Sequence, residues 1–139
     1  TVFEKLVWIK EKIRNLVIQY DPHYVGIEDF SLFMPGKSNA KAIMALAVWN
    51  RTVCLTVLET IGVPPTPLNV LKIRHTIKEN KQLPSKEDIP ELIKRILKLD
   101  NFPYLYEESG KHNGEIAEES YDIADSIAVS LTLAKIKNL

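Results

Sequence analysis

Two short strand-forming runs flank one long, largely apolar helical stretch, and this arrangement limits the fold more than any other feature of the sequence. The runs are Tyr24 to Phe30 (YVGIEDF) and Thr66 to Leu71, and the stretch between them extends from Ala40 to about Ile61. A connection that contains a full helix joins parallel strands, because the chain must travel back along the sheet before the next strand begins. The expected class is therefore α/β, with at least part of the sheet parallel.

Three further helices are expected in the rest of the chain. Phe3, Leu6, Val7, Ile9, Ile13, Leu16, Val17 and Tyr20 recur at helical spacing, which predicts an amphipathic helix over 2–20, stopped by Asp21-Pro22. Ser38 or Asn39 is placed to cap the helix from Ala40, and Gly62 and Pro64 close it. Ser85 is placed to cap a further helix, with Asp88 in its first turn and Lys94 and Lys98 toward its far end. The residues from Asn101 to Gly114 read as irregular, and a last helix is expected from about Glu118 to Lys137. Two strands make a poor sheet for four helices, so strands are expected before residue 1.

At 139 residues the chain is long enough for one domain with a core that needs no disulfide or metal. Its one cysteine, Cys54, lies in an apolar run and reads as an inert thiol in a reducing, cytoplasmic setting. No signal peptide and no uncharged membrane-length stretch is visible, so no membrane partner is expected. With 18 basic and 18 acidic residues, the net charge is zero, which argues mildly against nucleic-acid binding. The charge is segregated, however. Between Lys72 and Lys98 eight bases face four acids, leaving +4, and between Asp100 and Asp125 eight acids face one lysine, leaving −7. A basic segment followed by an acidic one suits a phosphate-contacting surface beside a cation site, and it suits solvated helix faces equally well.

The chemistry concentrates in acids. Between Ile123 and Ala134 (IADSIAVSLTLA) the only charge is Asp125, and an ionised carboxylate in so apolar a helix needs a cation or hydrogen bonds to compensate it. Asp122 lies one turn earlier on the same face, and two such oxygen ligands favour a divalent cation. Taken alone, Asp122 reads more simply as an acid stabilising the helix N-terminus. Glu28 closes the run Val25-Gly26-Ile27-Glu28, at the strand end where α/β folds place their ligands, although by itself it is indistinguishable from an ordinary strand-end acid. Asp29 points the other way.

In their order along the chain, the stretches IEDF (27–30), SNAKAIMALA (38–47), PLNVLK (67–72), SKEDI (85–89) and YDIADSIAVSLTLA (121–134) resemble the RuvC-type Holliday-junction resolvases. That resemblance implies an RNase H-like α/β domain spanning 1–139, a mixed sheet flanked by helices whose first strands are absent from this chain. It implies four carboxylates holding two Mg²⁺ or Mn²⁺ ions that hydrolyse phosphodiesters, with Glu28, Asp122 and Asp125 matching three of them. The fourth, an aspartate on the family's first strand, has no counterpart before Glu28. The resemblance also implies branched DNA as partner, a homodimer with two active sites, and DNA-phosphate contacts from Lys72 and Lys86. In the 31–39 loop, Phe33 and Met34 are the candidate apolar wedge at a branch point or else fold back onto the core, and Lys37 and Asn39 complete the DNA-contacting set.

Other signals are weaker. Gly36-Lys37-Ser38 lacks the leading glycine of a P-loop, since position 31 is Ser. His23, His75, His112 and Cys54 have no zinc-like spacing. Trp8 and Trp49 fall on apolar helix faces and are expected in the core. The alternatives to a junction nuclease are a non-catalytic module that binds DNA or protein and a related nuclease with another substrate.

Overall fold

The computed structural model describes residues 1–29, 39–100, 104–108, 111, 114–117 and 119–139. Its contacts gather into two compact units, 1–69 and 70–139.

The first unit opens with α1, Val2–Tyr20, which starts on a capping box between Thr1 and Glu4. It ends at Asp21, whose left-handed backbone lets its N–H donate to the Val17 carbonyl at 2.9 Å. Next come β1 (Gly26–Glu28), α2 (Ala40–Ile61) and β2 (Thr66–Leu68). The strands pair in parallel, with Gly26 opposite Thr66, Ile27 opposite Pro67 and Glu28 opposite Leu68. Asn39 caps α2, its side-chain oxygen accepting from the Ala42 N–H at 2.8 Å, and Gly62 closes it in the left-handed region at φ 74°. Along α2 the hydroxyls of Thr52, Thr56 and Thr60 each bond the carbonyl four residues back, so these polar side chains ask nothing of the neighbouring helix. α1 packs against α2, and Lys10 and Arg14 of α1 reach Glu59 of α2 at 2.8 and 3.7 Å.

Among the described helices, α2 alone has the length and apolarity of a membrane span. It also carries Lys41, Arg51 and Glu59, and it joins two strands that hydrogen-bond to each other, which is how a covering helix is connected.

The second unit comprises α3 (Val70–Ile77), α4 (Ile89–Leu97) and α5 (Glu119–Lys137). Both α3 and α4 pack on α5. Ser120, Ala124, Ala128 and Thr132 form a buried stripe of small residues down α5, which lets the other two helices approach closely. Ile73 and Ile77 from α3 and Ile89, Leu92 and Ile93 from α4 fill the space above it, Ile93 being 0% exposed. The residues between α4 and α5 are not wholly irregular. Tyr106 and Ile116 form an antiparallel bridge, and Leu105 is fastened to α5 through its N–H and the Ser120 hydroxyl at 2.7 Å.

This architecture corrects the expected RNase H-like mixed sheet. Five helices hold 64% of the described residues, and the only sheet among them is the two-stranded parallel pair. The second strand-forming run is cut short, because from Val70 onward the chain coils into α3 and buries Ile73 and Ile77, four residues apart, on one helix face. The first run contributes only three residues to pairing. Neither strand is long enough to organise a sheet beyond its partner. Two smaller expectations also change. Trp8 and Trp49 are 59% and 39% exposed, and Trp8 lies 5.8 Å below the Lys12 ammonium. Ser85 does not cap α4; instead Asp88 accepts from both the Ser85 N–H and its hydroxyl, each at 2.8 Å, folding the turn that precedes the helix.

Candidate functional site

The site builds outward from α5. Its buried stripe passes through Ala124, so Asp125 falls at the border of that face and is half-buried, while Asp122, one turn earlier, is exposed. Burial pushes the Asp125 carboxyl above the usual carboxylate range. The neighbouring Asp122 charge pushes the same way, and Lys86 and Arg74 pull against both. Asp125 thus feels a like-charged neighbour on α5 and two cations, one from α3 and one from the turn before α4.

Tyr104 borders this cluster. Its hydroxyl donates to the Pro90 carbonyl at 3.0 Å, and burial, with the charges of Glu91 and Asp125 adding to it, pushes its pKa up to about 12. Tyr104 is therefore a neutral donor locked into the wall and not a proton carrier at ordinary pH.

An open cavity of about 470 Å³ lies elsewhere in this unit, lined by Lys78, Asn80, Glu87, Asp88 and the Glu79–Arg95 pair at 3.1 Å. None of Asp122, Asp125, Arg74 or Lys86 lines it. Its acids and bases are exposed, with Asp88 bonded within its own turn and Glu79 paired with Arg95, whereas Asp125 is half-buried.

Of the residues singled out from sequence, Asp122 and Asp125 stand one turn apart on α5, and the charge of Lys86 acts on Asp125. Lys72 is exposed on α3 and is not among the charges acting on Asp125. Glu28 belongs to the first unit, where it ends β1, exposed, with the Asn50 side-chain amide donating to its main-chain carbonyl at 3.4 Å. Asn39 is occupied as the cap of α2. Phe33 and Lys37, with the wedge role expected of that loop, lie outside the described residues, as does His112. The residue that sequence reasoning missed is Arg74. It looked like one base among eight, and only the packing of α3 on α5 distinguishes it.

Among the described residues no three His, Cys, Asp or Glu side chains gather as a metal-binding group. Asp122 and Asp125 supply two carboxylates one helical turn apart. That donor set fits Mg²⁺ or Mn²⁺ of the kind that keeps several waters and completes its shell with substrate phosphate. No protein-family model matches the chain, and neither does any curated protein or solved structure.

Proposed function

We propose that this chain carries a divalent-metal-dependent site for phosphodiester cleavage in branched DNA, and that it works as a homodimer presenting two such sites to a four-way junction. The observation that carries the reading is Asp125, a half-buried carboxylate with a second carboxylate one turn away and two cations on other elements whose charge acts on it. Such a group is uncomfortable in the protein alone and is relieved by a cation, while Lys86 and Arg74 suit the anion such a cation would bring. Asp122 and Asp125 would hold the ion. When bound, the ion supplies a more acidic water and charge neutralisation on the phosphate. The protein's own contributions are orientation by the two aspartates and phosphate attraction by Lys86. Branched DNA as the substrate rests on the motif likeness between IEDF, PLNVLK, SKEDI and YDIADSIAVSLTLA and the junction resolvases.

A second reading, a non-catalytic DNA- or protein-binding module, is favoured by the absence of a three-ligand group among the described residues. Labelled four-way, flap and linear DNA, incubated with Mg²⁺ or Mn²⁺ and either wild type or Asp125→Asn, separates the two. Junction cleavage that disappears in Asp125→Asn supports the hydrolytic site. Binding without cleavage, indifferent to Asp125→Asn, supports the module.

A further inference from the structure

The cation pair beside Asp125 is not symmetrical. Lys86 is exposed in a turn, where an ammonium is well solvated. Arg74 is half-buried, following the buried Ile73 on the α3 face that packs on α5. Its Nε is sealed from solvent and, among the described residues, is the one buried side-chain nitrogen or oxygen without a hydrogen-bond partner. The carboxylates whose charge it shares space with are Asp125 and Glu87, yet among the described residues no ion pair closes between either of them and Arg74. Elsewhere in the molecule acids and bases do close up, at 2.8 Å for Lys10–Glu59 and 3.1 Å for Arg95–Glu79.

A half-buried guanidinium that is packed in place but not paired is a cost the fold carries without return. An arginine kept to stabilise the fold would close on Asp125 or Glu87. One kept for a ligand would be held by packing, with its outer N–H groups free to meet an anion. A planar guanidinium presents those groups as a fork matched to phosphate oxygens, which an ammonium cannot reproduce.

We propose that Arg74 is the phosphate-positioning residue of this site. Its guanidinium takes the non-bridging oxygens of the DNA phosphate end-on, through the two Nη groups, because Nε is sealed. This assignment rests on the phosphodiester reading above. It gives the two cations different work: Lys86 attracts the backbone, and Arg74 fixes one phosphate in register with Asp122 and Asp125.

The test uses Arg74→Lys and Arg74→Ala in the full chain, each checked for an unchanged circular-dichroism spectrum. Binding of a fluorescent four-way junction in Ca²⁺ is measured across a salt series, and single-turnover cleavage is measured in Mg²⁺ at saturating DNA. Arg74→Ala is expected to weaken binding and lower the salt-dependence slope by about 1, the loss of one phosphate contact. Arg74→Lys is expected to keep the slope and lose roughly tenfold or more in rate, with the charge retained and the fork gone. Added methylguanidinium should restore cleavage by Arg74→Ala beyond an equal concentration of sodium chloride. An unchanged slope and affinity in Arg74→Ala, beside cleavage that Asp125→Asn abolishes, overturns the role of Arg74 and leaves the hydrolytic reading standing. A slope lowered by one, with no cleavage from any form, sinks the hydrolytic reading and keeps Arg74 as a phosphate contact.

Discussion

Replacing Asp125 by asparagine keeps the side chain's shape and removes its charge, so it isolates what the half-buried carboxylate costs the fold. Burial, followed by the influence of Asp122, raises the Asp125 pKa, against the opposing pull of Lys86 and Arg74. A carboxyl raised in the folded state binds its proton more tightly there than in the unfolded chain. Its contribution is therefore favourable at acid pH and is lost as pH climbs from the ordinary value of 3.8 through the raised one. At pH 7 the wild type carries the whole deficit and Asp125→Asn carries none of it. An unsatisfied buried polar group costs about 1–3 kcal/mol. Asp125 is only half-buried and has two cations nearby, so the low end, about 1 kcal/mol, is the appropriate figure. For a chain of this length that corresponds to roughly 3–5 °C in melting temperature. Scanning calorimetry in EDTA should therefore find Asp125→Asn melting roughly 3–5 °C above wild type at pH 7, with the gain shrinking toward zero near pH 3. Saturating Mg²⁺ should reverse the order, because a ligand at a hundred times its Kd adds about 2.7 kcal/mol to the protein that binds it. A variant that melts below wild type at pH 7 in EDTA would refute the reasoning, since Lys86 and Arg74 would then be more than compensating the burial.

Two other substitutions probe the frame that holds the site. Tyr104→Phe removes the hydroxyl's bond to the Pro90 carbonyl at 3.0 Å and should cost about 1 kcal/mol by urea denaturation at an unchanged m-value. Asn39→Ala removes the 2.8 Å cap on the Ala42 N–H and should cost about 1 kcal/mol in the same assay, while Asn39→Asp should be close to neutral.

The helices were legible where period and punctuation agreed. α2 shows this best: Asn39 before it and Gly62 after it are the residue types whose backbone and side-chain preferences end helices, and both act so in the structure. α3 was not legible, because Val70, Leu71 and Ile73 extend a strand-forming run and β-branched residues suit either state. The deciding signal was the four-residue spacing of Ile73 and Ile77 behind Asn69, a helix-start residue type, and it is short enough to miss. The sheet failed for a related reason: runs that look like strands carry no statement of how many of their residues will find partners. At the site, Asp125 stood out because its charge broke an apolar helix, a contrast visible in one dimension. Arg74 had no such contrast, since its character comes from a neighbouring helix. Trp8 and Trp49 misled because apolar periodicity marks a face that is offered for burial, not one that is covered.

The short β-pair also has a direction built into it. Thr66 and Leu68 turn their peptide groups toward β1, with the Thr66 N–H on the Val25 carbonyl and the Leu68 carbonyl on the Asp29 N–H, both at 2.8 Å. Alternation then sends Pro65 and Pro67 to the far side, and neither has an N–H to give. That margin is a selvedge: the weave stops there, whatever chain comes near. On the other margin the outward carbonyl of Glu28 is already taken by the Asn50 side-chain amide, so the helix between the strands hems that edge as well.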